Sequence, residues 1–159
     1  MALLELKNLK TFFATKRGTV KAVNGVSYSL DAGKVLGVVG ESGSGKSVSA
    51  MSILRLLDGN GYIDSGEILF NGQDLTKLSM NEMYKIRGNE ISVIFQEPMT
   101  SLNPVFTVSR QISEPLMIHQ GMNKKQAAAK AVELLSDVKI PNPEVVAKQY
   151  PCLLYTSDA

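Results

Sequence analysis

The sequence has little of the chemistry on which disulfide-bonded and metal-centred proteins depend. It contains one cysteine, one histidine and no tryptophan in 159 residues. A single thiol, Cys152, can form no internal disulfide and no cysteine-based metal site. His119 has no accompanying carboxylate or cysteine motif, so a surface or packing role is the simpler interpretation. A disulfide framework is therefore excluded.

Two further absences narrow the class of protein. No apolar run reaches 18 residues, so the sequence predicts no membrane-spanning helix. Charges of both signs are interspersed at a net charge of +2, and no basic tract indicates nucleic-acid binding. The first residues lack a basic leader, and Glu5 interrupts their apolar stretch, so no signal-peptide pattern is present. We therefore expect a cytoplasmic globular protein with no nucleic-acid partner.

What the sequence does contain is a phosphate-binding motif. Residues 40–47 fit the pattern G-x-x-x-x-G-K-S, the P-loop. Its glycines let backbone N–H groups turn toward phosphate oxygens, while Lys46 can reach the β- and γ-phosphates of a nucleotide. The Ser47 hydroxyl can ligate the Mg²⁺ that bridges those phosphates. The alternative is a Gly/Ser-rich turn with a chance lysine. The predicted nucleotide-binding residues here are Gly40, Glu41, Ser42, Gly43, Ser44, Gly45, Lys46, Ser47 and Val48.

The flanks of the motif favour the P-loop interpretation, which requires a strand before it and a helix after it. The apolar run Val35–Val39 predicts a buried parallel strand. Apolar residues at helical spacing predict a helix over Ser47–Leu57, which Gly59-Asn60-Gly61 ends. Ile91–Phe95 predicts a second buried strand. Two such strands around a helix indicate an α/β core with parallel pairing.

An antiparallel ribbon is predicted ahead of this core. Leu4–Leu9 and Val20–Leu30 alternate apolar and polar residues, with a polar turn at residues 15–19 between them. A further short strand is predicted over Glu67–Phe70, followed by an Asn71-Gly72 turn.

The rest of the pattern is helical. Ser79 and Glu82 form a capping-box pattern for a short helix that ends near Arg87. Val108–His119 is predicted as a helix with a kink or break at Pro115. Asn123, with Gln126 three residues later, is predicted to cap a helix over 124–138. Its apolar stripe comprises Ala127, Ala131, Leu134, Leu135 and Val138.

A P-loop alone does not choose among nucleotide-binding families, but three further features do. They are the ribbon before the loop, Gln96 at the end of an apolar strand about fifty residues after Lys46, and the helical segment that follows. Together they resemble the ATP-binding subunit of ABC transporters. The strings Gly40–Val48 and Phe95–Pro104 look like the oligopeptide/dipeptide/nickel importer subfamily.

The resemblance implies a fold and a division of the chain. The fold class is α/β: a P-loop NTPase core with an N-terminal antiparallel β ribbon and an appended helical subdomain, forming an incomplete ABC ATPase domain. Residues 1–151 form that domain, with the core over 1–96 and the helical subdomain over 97–151.

It also implies an activity, ATP hydrolysis coupled to the import of di- or oligopeptides, or of nickel. Lys46 and Gln96 are its catalytic residues, ATP and Mg²⁺ its cofactors, and Ser47 and Gln96 the metal-contacting residues. Phe13 matches an aromatic residue that stacks on adenine, although Phe12 or Phe13 as a core residue at a strand end remains the alternative.

The implied partners are a second ATPase subunit in a head-to-tail dimer, two transmembrane permease subunits and, indirectly, an extracellular solute-binding protein. The implied location is peripheral, on the cytoplasmic face of the plasma membrane. Residues 97–150 carry the helices whose surface receives the membrane subunits in such systems. Two alternatives stay open: a soluble ABC-type ATPase without a membrane partner, and an inert fragment.

The sequence departs from the family after Tyr150-Pro151. The signature motif, the acidic strand, the catalytic glutamate and the switch histidine do not follow. Residues 152–159 look like the in-frame translation of a transposase sequencing adapter, and we expect them to be non-native; a divergent natural terminus is the alternative. We therefore expect this polypeptide to bind nucleotide without completing hydrolysis, and to expose apolar surface.

Overall fold

The computed structural model describes residues 2–95 and 101–151 of the chain. The chain divides into two compact units, residues 1–84 and 85–159. The first is built on a sheet and the second on helices. None of the helices in the described ranges has the length and apolar character needed to cross a membrane.

The first unit contains a four-stranded antiparallel sheet. Its strands are β1 (Ala2–Thr15), β2 (Gly18–Asp31), β3 (Gly61–Phe70) and β4 (Gln73–Asp74), in the spatial order β2-β1-β3-β4. The predicted ribbon of β1 and β2 is confirmed, and both strands run longer than their alternating patterns. The Asn71-Gly72 turn joins β3 to β4 as predicted, with both residues at positive φ. Leu6, Leu9 and Ile68 are among the fully buried side chains.

An irregularity in β1 shapes the centre of this sheet. Lys7 pairs with Glu67 and Lys10 with Ser65, so Asn8 and Leu9 lie opposite Gly66 alone. A Cβ at Gly66 would lie 2.5 Å from the Asn8 carbonyl oxygen and 2.6 Å from the Leu9 Cα, and its φ is +98°. Only glycine avoids both the clash and the strain at this position.

Helix α1 (Lys46–Ile53) follows the P-loop as predicted, but it ends four residues earlier than Leu57. Arg55 takes a positive φ of 52°. The Leu56 N–H donates to the Met51 carbonyl at 2.9 Å, and the Arg55 N–H donates to the Ser52 carbonyl at 3.0 Å. These two bonds form a Schellman motif, which terminates a helix at a left-handed residue. The sequence pattern did not indicate this end, because arginine is not a typical residue there.

Helix α2 (Met80–Ile86) begins at the predicted capping box. The Ser79 N–H donates to a Glu82 carboxylate oxygen at 2.8 Å, and the Glu82 N–H donates to the Ser79 hydroxyl at 3.4 Å. Two backbone donors are satisfied reciprocally, as in the general motif.

The second unit contains helices α3 (Val108–Gln120), α4 (Lys124–Asp137) and α5 (Pro143–Val146). Helix α3 continues through Pro115 and ends at Gly121, whose φ is 65°. The predicted capping box of Asn123 and Gln126 is confirmed, with bonds of 3.0 and 3.1 Å. The core is formed by Val108, Leu135 and Ala147. The predicted stripe on α4 was wrong at Val138, which ends the helix and is exposed.

Two strand predictions were wrong. Residues 35–39 form no strand, and the side chains of Val35 and Val39 are 98% and 96% exposed. Residues 92–95 form none either; only Ile91 makes an isolated bridge, and Ile94 is 96% exposed. A parallel strand requires neighbouring strands to accept its hydrogen bonds. Among the described residues, no strand pairs with residues 35–39.

We predict that Gly66→Ala destabilises the protein by about 2–5 kcal/mol, because it adds overpacking to backbone strain. The matched control is Gly33→Ala, since Gly33 also has a positive φ (70°) but nothing lies within 4 Å of an added Cβ. The control should cost only about 1–2 kcal/mol. Urea unfolding followed by circular dichroism measures both, and equal losses would contradict the steric role of the Asn8–Leu9 irregularity.

Candidate nucleotide-binding site

The phosphate-binding loop rests on the sheet at Gly45. This residue is the N-cap of α1 with a φ of 89°, and a Cβ added to it would meet the carbonyl oxygen of Ala22 in β2. Thr11 pairs with Val23 and Phe12 with Lys21, so Ala22 is the extra residue of a β-bulge. The loop therefore contacts β2 where its ladder is interrupted, and glycine at this position allows the approach.

A buried pair of hydroxyl groups joins α1 to β1. The Thr11 and Ser52 hydroxyl oxygens lie 2.9 Å apart, and both residues are fully buried. The Ser52 hydroxyl also donates to the Val48 carbonyl at 2.7 Å. Because Ser52 has only one proton, Thr11 is the donor in the pair. This bond fixes α1 on the face of the sheet that carries Thr11.

The Lys46 ammonium group donates hydrogen bonds to the backbone of its own loop. Its Nζ donates to the carbonyl oxygens of Gly40 and Glu41, each at 2.6 Å, and lies 3.4 Å from the Ser44 hydroxyl. A Cβ at Gly40 would lie 2.7 Å from that same hydroxyl, so a side chain there would require the Ser44 hydroxyl to move. The ammonium group is thus held over the loop by neutral acceptors that an anion can replace.

The start of α1 adds donors beside this cation. The first N–H groups of any α-helix lack intrahelical acceptors, and here these belong to Lys46, Ser47 and Val48. No side chain caps this end of α1. The N-terminal end of the helix dipole also favours a bound anion. The Lys46 ammonium group, the N–H groups and the dipole therefore all suit a phosphate chain.

The fit to Mg²⁺ rests on Ser47. It is exposed in the first turn of α1, where its hydroxyl can reach a metal that bridges phosphates. No cluster of three or more histidine, cysteine, aspartate or glutamate residues occurs in the described ranges, so the protein offers no metal cage of its own there. Gln96, the other predicted metal contact and catalytic residue, lies outside the described residues, as does the segment 152–159.

Phe13, the predicted adenine-stacking residue, and its neighbour Phe12 lie on opposite faces of β1. Side chains alternate along a strand, so Phe13 shares the face of Thr11, where α1 packs. Phe12 points to the other face, is 8% exposed, and makes an edge-to-face contact with Tyr62 at 6.3 Å. Phe13 is half-buried, and its ring covers Gly61. Its stacking role stays a prediction, while Phe12 is a packing residue.

The structure thus joins Gly40, Glu41, Ser44 and Lys46 with the start of α1 in one loop. Glu41 contributes its carbonyl oxygen, and Ser42 is exposed. The residues predicted from the sequence did not include Thr11, Ala22 and Ser52, which support the loop through the sheet and α1. Thr11 and Ser52 are 41 residues apart in the chain, and no local pattern links them. Ala22 acts through its backbone, so its side chain carries no signal.

The loop and the sheet-supported helix define a P-loop nucleotide-binding protein, and sequence comparison identifies its family. The sequence profile described as ABC transporter matches residues 23–153, which is most of the chain. The chain belongs to the ABC transporter family.

Several curated relatives are similar over nearly the whole chain. It is 49% identical over 150 residues to the oligopeptide transport ATP-binding protein AppD of Bacillus subtilis, covering 94% of this chain and 46% of the relative. It is 51% identical over 150 residues to the oligopeptide transport ATP-binding protein OppD of the same organism, covering 94% of this chain and 42% of the relative. The dipeptide transport ATP-binding protein DppD of Lactococcus lactis is 50% identical over 149 residues, and the match covers 93% of this chain and 43% of the relative. The chain spans less than half the length of these relatives.

Solved structures show the same fold. The dimeric structure of MJ0796, a bacterial ABC transporter cassette, matches with a TM-score of 0.78 and 24% identity, covering 94% of this chain and 62% of that one. The structure of its post-hydrolysis state bound to ADP and Pi matches with a TM-score of 0.76 and 23% identity. This likeness confirms the predicted fold class of an incomplete α/β ABC ATPase domain with an antiparallel ribbon, despite the two strands that were wrongly predicted.

We predict unequal effects for the two members of the hydroxyl pair. Ser52→Ala leaves the Thr11 donor buried without its acceptor and should cost about 1–3 kcal/mol. Thr11→Val leaves the Ser52 bond to Val48 intact and should cost less than about 1 kcal/mol. The double variant should match Thr11→Val, because no donor is then orphaned. Chemical unfolding of the four proteins tests this, and a Thr11→Val cost equal to that of Ser52→Ala would contradict the assigned donor.

Proposed function

We propose that this chain is part of the ATP-binding subunit of an ABC importer, in which ATP hydrolysis drives uptake of di- or oligopeptides. The observation that carries the proposal is the Lys46 ammonium group, held by carbonyl oxygens at the N-terminus of α1. High identity to ATP-binding proteins named for oligopeptide and dipeptide transport supports the substrate class. Nickel, which the subfamily resemblance also allows, is the less favoured solute.

Nucleotide binding would exchange one set of Lys46 contacts for another. The β- and γ-phosphates would replace the Gly40 and Glu41 carbonyls as acceptors, because an anionic oxygen attracts the ammonium group more strongly than a neutral carbonyl oxygen does. The N–H groups of the first turn of α1 then bind the same phosphate chain. Ser47 and Gln96 would hold Mg²⁺, which would supply positive charge to neutralise the phosphates. Phe13 stacks on the adenine from the face of β1 on which α1 lies.

The proposed partners follow from the family. The subunit pairs head-to-tail with a second ATPase subunit and binds two permease subunits at the cytoplasmic face of the membrane. An extracellular solute-binding protein delivers the peptide to those permeases. The dimeric arrangement of MJ0796 supports the pairing in general terms. The proposed division is a core over residues 1–96 and a helical subdomain over 97–151.

For the 159-residue polypeptide itself, we infer nucleotide binding without turnover. Phosphoryl transfer requires an oriented water and a metal held on two sides, besides positioned phosphates. The sequence supplies Lys46, Ser47 and Gln96 but neither a signature motif nor a catalytic glutamate after Pro151. Lys46 and Gln96 act fully only where those groups are also present.

Lys46→Ala should weaken Mg²⁺–ATP binding by roughly 10- to 100-fold, because it removes charge-assisted bonds worth about 1.5–3 kcal/mol. The matched control is Lys34→Ala, which removes the same charge from an exposed residue ahead of the loop. Titration with a fluorescent ATP analogue measures both proteins. Similar losses in the two variants would show a non-specific charge effect and contradict the P-loop assignment.

A steady-state phosphate-release assay should detect no transporter-like turnover in the 159-residue polypeptide. A parent protein that also contains the signature motif and the catalytic glutamate should hydrolyse ATP and lose that activity on Lys46→Ala. Turnover by the short polypeptide that Lys46→Ala abolishes would refute the inference, because it would mean that the missing groups are dispensable.

A further inference from the structure

The helical unit contains a cleft that the proposed ATPase function does not use. It lies between α3 and α4, has a volume of about 560 Å³, and is lined by Thr107, Ser109, Arg110, Ser113 and Lys124, with Met117 and Ala128 as its apolar wall. All of these residues belong to the second compact unit, and none of them belongs to the P-loop.

The charge in this cleft has one sign. Arg110 and Lys124 line it, and within the described ranges no carboxylate lies among the lining residues. Arg110 also makes no ion pair with any described carboxylate. Its guanidinium carbon lies 3.7 Å from the centroid of the Phe106 ring, which supports the planar group while leaving its in-plane N–H donors available. Two cations converge on a space that contains no counter-charge.

Ser113 gives an independent indication of a ligand. The residue is only 5% exposed, and its hydroxyl has no hydrogen-bond partner among the described residues. A buried hydroxyl without a partner costs free energy, which a bound acceptor recovers. The backbone at the start of α3 is already occupied, since the N–H groups of Val108 and Ser109 donate to the carbonyls of Gln149 and Ala147. Recognition here would therefore depend on side chains.

We propose that this cleft binds a phosphomonoester of small-molecule size. Two cations match the charge of a phosphate dianion, and the three donor side chains, from Arg110, Lys124 and Ser113, suit the three terminal oxygens of a phosphomonoester. The volume exceeds that of a phosphate ion, and Met117 with Ala128 gives an apolar wall for an organic group. The same phosphate chemistry can come from inorganic phosphate, so the two sources are compared directly.

The test uses the full 159-residue chain carrying Lys46→Ala, which removes the cation of the P-loop and so weakens any phosphate binding there. Calorimetric titration with phenyl phosphate and with inorganic phosphate measures affinity, and backbone amide NMR shifts locate the site. We expect shifts at Ser109 and Ser113, and tighter binding of phenyl phosphate than of inorganic phosphate. Tighter binding of inorganic phosphate at the same residues would assign the cleft to the free ion and overturn the phosphomonoester. Shifts confined to other residues would overturn the site.

Arg110→Gln should weaken phenyl phosphate binding about tenfold or more, and Lys124→Gln roughly threefold or more, because each removes a charge-assisted bond. Lys125→Gln is the matched control: it removes the same charge from the next residue of α4, which is exposed and does not line the cleft. Its affinity should stay within about twofold. Equal losses of phenyl phosphate affinity in Lys124→Gln and Lys125→Gln would show that only the net charge of the protein matters, and would overturn the proposal.

Ser113→Ala separates a ligand-binding hydroxyl from a structural one. It should weaken phenyl phosphate binding roughly threefold while leaving the melting temperature of the unliganded protein unchanged or higher. Unchanged affinity, or a lower melting temperature without ligand, would overturn the assignment of Ser113 to the anion. Since every sample lacks Lys46, these outcomes do not depend on whether the P-loop binds ATP.

Discussion

The contact between Gly45 and the Ala22 carbonyl is the constraint on which the candidate site depends. It places the first turn of α1 directly on β2, at a bulge where the strand's ladder is interrupted. The Thr11–Ser52 bond then fixes the helix further along its length on β1. Because the helix is held at two points by non-local contacts, the direction of its N-terminal N–H groups is set by the sheet. The antiparallel ribbon is thus the support of the phosphate-binding loop.

The same support of the loop by the sheet explains the hydrogen bonds that the Lys46 ammonium group makes. A loop fixed at Gly45 cannot open widely, so the ammonium group bonds to the carbonyls of Gly40 and Glu41. These neutral acceptors hold the cation in the loop without neutralising it. A phosphate oxygen offers a stronger, charged acceptor to the same group. The loop is therefore organised around its cation, which reduces the ordering that anion binding requires.

The two units differ in how far local signals determine them. In the helical unit, α3 and α4 each begin at a residue whose side chain caps the helix, and α3 also carries a stop signal. Asn123 and Gln126 form their capping box, and Gly121 ends α3 at positive φ. The apolar runs at residues 35–39 and 91–95 have no comparable local determinants. Their hydrogen bonds must come from neighbouring strands, and such pairing does not occur among the described residues. High β-propensity at Val35 and Ile94 was therefore insufficient to form a strand.

The sequence by itself determined the ribbon, the starts of α1 to α4 and the P-loop at residues 40–47, because alternation, capping residues and fixed glycine spacing are local features. It also carried the similarity that identifies the family. Only the tertiary structure decided that Thr11, Ala22 and Ser52 support the loop, that α1 ends at Ile53 through Arg55, and that Phe12 and Phe13 lie on opposite faces. It alone brought Arg110, Ser113 and Lys124 to one cleft. These features depend on contacts between distant residues or on backbone atoms, for which residue types at local spacing carry no signal.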